Sequence, residues 1–203
     1  MVKLLSIILF NIFDDQFDPV IIHSLFNLGH FGFFERNTIQ EICIFASREY
    51  ARKCSKGCDE VLNHMNYNVY VRIFYSGLAM TCVTDDEYPM SAAKAFLNSV
   101  CSVFMTTFPD DNIYRKIKRD TNLDIPQIQE LLITFQEPNK ADKFTTIRTE
   151  IQDTKITLIQ TIDTLLERGE SLDSLMERTN DLSLHSKIFL IESKKMNSCC
   201  ILF

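Results

Sequence analysis

The chain has 203 residues, 46% of them hydrophobic, with a formal net charge of -6 and a pI near 5.2. This size and apolar content are sufficient for a buried core. The acidic balance argues against nucleic acid as a partner, because binding its phosphates requires a concentrated basic face.

The N-terminal half predicts strands and helices in alternation. Apolar runs over 3–10 and 20–22 predict two strands separated by an acidic turn. The apolar N-terminal run is followed by acids and lacks a small-residue cleavage site, so we interpret it as a strand and not as a signal peptide. A helix is expected over 38–54, where Thr38 and Glu41 have the spacing of a capping box.

Two more strands and a second helix follow. The runs over 67–74 and 78–84 flank a glycine turn and predict a hairpin, with a third strand in this region left open. Acids and Pro89 then begin a helix with an apolar stripe over 93–105. This order indicates an α+β fold with a mainly antiparallel sheet covered by helices. The more polar stretch 109–138 contains an apolar cluster at helical spacing, which we expect to dock on the domain.

The C-terminal sixty residues contain a long run of helical period. Steps that alternate between three and four residues meet an apolar or small side chain each time except at Arg168. A repeat averaging about 3.5 residues is typical of a coiled coil, in which one seam stays against partner helices. The other seam positions are Phe144, Ile147, Ile151, Thr154, Leu158, Thr161, Leu165, Leu172, Leu175, Thr179, Leu182, Ser186, Phe189, Ser193 and Met196.

A lone helix in water buries little of such a seam, so the segment is expected to be disordered, folded back on the domain or bundled with other helices. A guanidinium at an apolar seam is costly unless partner helices offer acceptors, and a polar layer of this kind fixes register. Alternatively, Arg168 extends outward from an imperfect heptad.

The last residues suggest covalent lipid attachment. Cys200 with the three residues to Phe203 has the pattern of a prenylation signal, and the final phenylalanine favours geranylgeranyl over farnesyl. One prenyl chain holds a protein on a membrane only reversibly, so Cys199 is placed to carry a palmitoyl or a second prenyl group. The alternative is a pair of unmodified thiols. No apolar stretch reaches the roughly eighteen residues of a spanning helix, so membrane attachment would be covalent or through a partner.

Other chemistry has little support in the sequence. The seven cysteines are odd in number and predict free thiols in a reducing compartment. Cys54 and Cys58 lack a second pair and the histidines lack ligand spacing, so we expect no metal site. The acids at 85–87 are interpreted as helix caps. Without a phosphate loop or a nucleophile elbow, we expect no catalytic residue, no enzyme activity and no cofactor other than covalent lipid.

The chain resembles a known family, the prenylated longin R-SNAREs called Ykt-six, which are synaptobrevin homologues. The sequence Leu-Leu-Glu-Arg-Gly-Glu-Ser-Leu-Asp at 165–173 resembles the centre of an R-SNARE motif, with Arg168 as the zero-layer arginine. The other stretches that carry the resemblance are 31–36, 86–89, 153–155 and 194–200. Together they cover essentially the whole chain in the expected order.

The resemblance implies a profilin-like longin domain, a five-stranded antiparallel sheet flanked by helices, followed by a SNARE coiled-coil segment. The implied division is a longin domain over 1–132, a linker over 133–139, an R-SNARE motif over 140–198 and a lipidation signal over 199–203. The implied location is the cytoplasm and the cytoplasmic face of endomembranes, such as Golgi, vesicles, endosome or vacuole.

The implied function is vesicle-membrane fusion. Arg168 would face three glutamines from Q-SNARE helices in a parallel four-helix bundle, and the lipids would contact the membrane surface. Without partners, the longin domain would cover the seam, which we expect to lie on it in broken pieces. Phe45 would belong to the autoinhibitory patch, although it equally fits an ordinary core residue. The alternative function is a lipid-anchored longin adaptor or tether that binds a coiled-coil scaffold without driving fusion.

Overall fold

The computed structural model describes residues 3–13, 18–64, 66–137, 157–159 and 171–199. Within these ranges the strands are β1 (Leu4–Asn11), β2 (Val20–Phe26), β3 (Asp59–His64), β4 (Tyr67–Ile73), β5 (Leu78–Asp85) and β6 (Thr157–Ile159). The helices are α1 (Arg36–Lys53), α2 (Met90–Thr107), α3 (Asp111–Arg115), α4 (Pro126–Thr134), α5 (Leu172–Arg178) and α6 (Leu184–Cys199).

The strands form one sheet in the order β2-β1-β5-β4-β3-β6. The first five strands pair antiparallel, which confirms the predicted five-stranded antiparallel sheet. The sixth comes from the C-terminal part of the chain and adds parallel to β3, with Val61 opposite Leu158. The sheet of the domain is therefore completed by a strand from the predicted coiled-coil segment.

Strand β1 lies between β2 and β5, and all eight of its residues are buried. Leu5 and Ile8 belong to the apolar cluster on the α1 side, whereas Leu4 and Ile7 belong to the cluster on the side of α2 and α4. Because helices cover both faces of the sheet, apolar residues occupy both faces of the strand, and its two polar residues, Ser6 and Asn11, are buried as well. This explains why apolar residues in this part of the sequence do not alternate with exposed polar ones.

Helix α1 begins at Arg36, two residues before the predicted start, and the predicted capping box is wrong. The N-cap residue is Glu35, whose carboxylate accepts a hydrogen bond from the backbone N–H of Gly32 at 2.9 Å. Thr38 and Glu41 are consequently the third and sixth residues of the helix, so they cannot form the N-cap pair that the sequence predicted. Their side chains bond elsewhere, as described below.

The acids at 85–87 also do not cap a helix. Helix α2 starts at Met90 directly after Pro89, as predicted, but its N-terminus has no side-chain cap. Asp85 is the last residue of β5, and its carboxylate accepts a hydrogen bond from the backbone N–H of Lys3 at 2.5 Å. This acid therefore joins two strand ends.

The stretch after α2 packs on the domain, as its apolar cluster predicted. Ile128, Leu132 and Phe135 are buried against α2, and the hydroxyl of Tyr88 donates a hydrogen bond to the Phe135 carbonyl at 2.7 Å. The packed region thus continues past 132, and the predicted linker over 133–139 begins inside it.

The C-terminal segment, defined here as the described residues 157–159 and 171–199, lies on the domain in separate pieces. It consists of the strand β6 and the helices α5 and α6, and α6 contacts α1. This confirms the expected broken arrangement for the part of the segment that the structure describes. Among the described residues, no helix is long and apolar enough to cross a membrane.

Candidate functional site

One face of α1 holds the C-terminal segment. Thr38, Glu41, Phe45 and Arg48 follow one another at steps of three, four and three residues, which places them on the same side of the helix. Three of the four make side-chain hydrogen bonds to residues between 181 and 186. We call this set of four residues the α1 outer face.

Glu41 anchors the beginning of α6. Its carboxylate accepts hydrogen bonds from the backbone N–H of Ser183 at 2.9 Å and from the hydroxyl of Ser186 at 2.7 Å. Ser183, directly before α6, caps the helix with its own hydroxyl, which accepts from the Ser186 N–H at 3.3 Å. Glu41 satisfies the Ser183 N–H as the N3 side chain of a capping box would, and its negative charge suits the positive end of the helix dipole. Thr38 adds a hydrogen bond to Nδ1 of His185 at 3.0 Å.

These contacts also determine the ionisation of Glu41. Burial by itself would raise its pKa, but the hydrogen bonds from Ser186 and Ser183 and the nearby His185 hold the pKa below its ordinary value of 4.5. A carboxylate whose pKa is lowered in the folded state stabilises that state above the unfolded pKa. Its contribution is complete at neutral pH and is lost as the pH falls through the lowered value.

We expect Glu41→Ala to loosen the start of α6 at neutral pH. Loss of a helix-capping acceptor costs about 1 kcal/mol, so amide hydrogens at the start of α6 should exchange about five times faster if they exchange through local opening. Hydrogen exchange followed by mass spectrometry measures this. Glu130→Ala, on the exposed side of α4, is the matched control, and equal exchange in both variants would contradict the capping role.

Arg48 joins three parts of the molecule. Its guanidinium pairs with Asp120 at 2.6 Å and with Asp181 of the C-terminal segment at 2.7 Å, and it also donates to the Pro19 carbonyl. Only 11% of its side chain is exposed. Burial raises the pKa of Asp181, and Arg48 only partly offsets this effect. Removing one member of a buried ion pair leaves an uncompensated charge, so this network favours the docked segment only while it is complete.

A cavity of about 410 Å³ lies beside this network. Its walls are charged and polar, and include Glu49, Arg178 and Asn180. A lining of this kind does not suit an apolar lipid chain, which gains free energy only from apolar surroundings.

Apolar side chains complete the contact. The cluster on the α1 side of the sheet includes residues of the domain together with five of the C-terminal segment: Leu172, Leu175, Met176, Leu182 and Leu190. Each of these five is at most 7% exposed. The C-terminal segment therefore contributes to the core of the domain and is not merely adsorbed on its surface.

Phe45 belongs to this shared cluster and is 2% exposed. Cys43, two residues earlier, is buried next to Ser6 of β1 and thus points toward the sheet. Two residues correspond to about 200° around a helix, so Phe45 points to the opposite side, where Glu41 and Arg48 contact the C-terminal segment. This geometry favours an interface position for Phe45 over an ordinary core position.

The seam residues differ in how deeply they are buried in the C-terminal segment. Leu172, Leu175, Leu182 and Ser186 are buried, and Thr179 and Ser193 are partly buried. Phe189 is 38% exposed, because α6 turns Ser186 and Leu190 toward α1 instead. Leu158 lies in β6, and Met196 and Cys199 lie in α6. Outside the described residues lie Phe144, Ile147, Ile151, Thr154, Thr161, Leu165, Arg168 and Cys200.

Sequence reasoning missed most of this contact. It assigned Thr38 and Glu41 to a local cap and did not single out Arg48, Asp181 or His185. The heptad-like spacing of the α1 outer face was the available signal, but polar residues at such positions read equally well as a solvated face.

Comparison with known protein families assigns both the domain and the C-terminal part of the chain. Residues 28–125 match the Longin family, described as a regulated-SNARE-like domain, and residues 143–201 match the synaptobrevin family. The fold and the contact thus define a longin-domain SNARE.

Curated relatives match over most of this chain and of their own length. The VAMP-like protein YKT61 of Arabidopsis thaliana is 35% identical over 98% of both chains. The synaptobrevin homologue YKT6 of Saccharomyces cerevisiae is 31% identical over 87% of this chain and 88% of its own, and the putative YKT6 of Dictyostelium discoideum is 30% identical over 98% of both. The chain belongs to the YKT6 family of longin-domain R-SNAREs, which act in vesicle trafficking. Proteins of the SNARE class are not enzymes, and the tether alternative is not favoured.

Proposed function

We propose that this R-SNARE drives vesicle-membrane fusion by contributing one helix to a parallel bundle with three Q-SNARE helices. The observation that carries the proposal is the synaptobrevin match over 143–201, which spans almost the whole seam and contains its one charged position, Arg168. In the bundle Arg168 forms a polar layer with glutamines of the three partners. The seam on either side of it packs as apolar and small layers.

The docked segment and the bundle exclude each other. Leu172, Leu175 and Leu182 are buried on the α1 side of the domain, and the same side chains are layers of the proposed bundle. One side chain cannot fill both sites at once, so the docked state withholds the seam from partners. We infer that the α1 outer face, Phe45 included, is the autoinhibitory patch.

Attachment to the membrane is proposed through lipids at the C-terminus. Cys200 would carry a geranylgeranyl or farnesyl group and Cys199 a palmitoyl or second prenyl group, since two signals are needed for stable anchoring. The protein would then cycle between the cytoplasm and the cytoplasmic face of endomembranes. The proposed region of action is the Golgi and its vesicles, with endosome or vacuole as further sites.

Arg168→Ala tests the bundle. Without the polar layer, register is no longer specified, and we expect the four-helix complex with Q-SNARE partners to melt at a lower temperature or to form in mixed registers. Thermal melting and crosslinking of assembled complexes measure both effects. Arg148→Ala, one residue away from the seam at Ile147, is the control and should behave as the unaltered protein does.

A different outcome would favour another function. A homodimer of this chain that forms without Q-SNAREs and ignores the Arg168→Ala change would identify a tether and exclude the fusion proposal.

A further inference from the structure

We propose that Cys54, Cys58 and Glu60 form a zinc-binding site at the junction of α1 and β3. Their two sulfur atoms and one carboxylate oxygen all lie within 4.8 Å of one another. Ligands around a tetrahedral zinc ion, with bonds of about 2.0–2.3 Å, are about 3.3–3.8 Å apart, so binding requires the donors to approach one another by about 1.5 Å at most. The proposal is independent of the fusion activity.

The three donors lie at the end of α1, in the turn that follows it and at the start of β3. Cys54 is the C-cap residue of α1, and its N–H donates to the Tyr50 carbonyl at 3.1 Å. Cys58 lies in the following turn, where its N–H donates to the Ser55 carbonyl at 3.2 Å and its own carbonyl accepts from Ile73. Glu60 is the second residue of β3. The backbone therefore holds the two cysteines and the start of β3 in place, and the longer side chain of Glu60 supplies the third donor.

The start of β3 is itself rigid. Asp59 is buried in an ion pair with Arg72 of β4, and Arg72 also donates to the Asn98 side chain of α2 at 2.6 Å. This pair fixes the register of β3 next to Glu60. A site whose supporting residues are fixed in this way loses little entropy when it binds an ion.

The surroundings are unusual for a carboxylate. Side chains alternate along a strand, so Glu60 shares the α1 face of the sheet with Leu62, a member of the apolar cluster there. The Cys54 thiol donates to Glu60 at 3.2 Å. Among the described residues, the buried hydroxyl of Tyr50 has no hydrogen-bond partner. Burial raises the pKa of this hydroxyl, and the neighbouring Cys54, Glu60 and Cys58 add to the rise. A carboxylate, two thiols and an unpaired hydroxyl on an apolar face are explained if a cation and its bound water join them.

The types of donor atom, two thiol sulfurs and one carboxylate oxygen, favour zinc. Thiolates favour zinc over magnesium or calcium, and the Cys-x-x-x-Cys spacing of the pair lies in the range found in zinc sites. The three donors are partly exposed, so an ion can enter from solvent. Three protein ligands leave a fourth position for water. The sequence did not indicate the site, because the third donor is a glutamate on a strand and not a second cysteine pair.

Cobalt titration tests the proposal in the full chain. The reference protein and every variant also carry Cys199→Ser and Cys200→Ser, because the terminal thiols could bind metal themselves. One Co²⁺ per chain should bind with a thiolate-to-cobalt charge-transfer band, and Zn²⁺ should displace it. Loss of outer-shell partners weakens metal sites by about 10–100-fold, so removal of a ligand by Cys58→Ser should weaken binding by about 100-fold or more.

The control is Cys101→Ser, which removes a thiol on α2 across the sheet and should leave cobalt binding unchanged. Hydrogen exchange of β1 and β5 shows that each variant is folded. Glu60→Gln provides a second test that keeps both thiols, and it should also weaken binding. Absence of a stoichiometric band, or equal binding by Cys58→Ser and Cys101→Ser, would overturn the proposal.

Discussion

Phe45→Glu should move the protein from the cytosol to membranes while the sheet of the longin domain stays folded. Truncation of a buried phenylalanine costs about 3–5 kcal/mol, and placing a carboxylate in an apolar cluster adds to that cost. A loss of about 4 kcal/mol changes the ratio of docked to released segment roughly a thousandfold. The released seam can then bind the proposed Q-SNARE partners, and the proposed lipids can insert into a bilayer. Flotation of lipidated protein on vesicles measures the shift.

The matched control is Phe45→Leu, which keeps an apolar side chain of smaller volume and should float little more than the unaltered protein. Hydrogen exchange separates the two explanations for the burial of Phe45. An interface role predicts faster exchange in α5 and α6 with β1 and β5 still protected. Loss of protection throughout the sheet, or unchanged flotation, would assign Phe45 to the core of the domain and remove it from autoinhibition.

Cys200→Ser should abolish stable membrane attachment. Each buried methylene of a lipid contributes about 0.8 kcal/mol, and a single chain gives only reversible binding. Removal of the proposed prenyl cysteine eliminates the first lipid, and Cys199 alone would have no membrane nearby on which to be acylated. We expect the variant in the cytosolic fraction of cells, even when it also carries Phe45→Glu.

Two further variants test the role of each lipid. Cys199→Ser should retain weak, reversible attachment, because the prenyl group remains. Phe203→Met should change the lipid from geranylgeranyl to farnesyl, as the rule for the last residue predicts, and mass spectrometry of the C-terminal peptide identifies it. Membrane attachment that survives Cys200→Ser would show that the anchor lies elsewhere.

Four of the strands, β1, β2, β4 and β5, and the helices α1 and α2 were predicted because their signals are local, whereas β3 was not predicted and β6 lies within the predicted coiled-coil helix. The run at β1 is apolar on both faces since both faces are covered, and β5 shows the same pattern. Strand β3 was harder to predict, because the sequence Asp-Glu-Val-Leu-Asn-His is mostly polar and its Asp59 and Glu60 serve an ion pair and the proposed metal site.

The partners of polar side chains were not predictable. Thr38 and Glu41 have the spacing of a capping box, yet they bond to His185 and Ser186. A hydrogen-bonding group identifies the kind of partner that it needs but not the position of that partner along the chain. The same limit applied to Arg48, whose two carboxylates lie 72 and 133 residues away.

The sequence by itself determined that the protein has an α+β domain followed by a seam of coiled-coil period with one arginine, because both are carried by local periodicity and composition. Only the tertiary structure decided what the described part of the seam, within 157–159 and 171–199, does without partners. A coiled-coil seam has apolar residues on one side and needs a surface to cover them, but its period does not specify which surface. Here the α1 outer face and the edge of β3 provide that surface. Residues proposed to pack in the bundle, such as Leu172 and Leu175, are therefore buried against the longin domain when no partner is present.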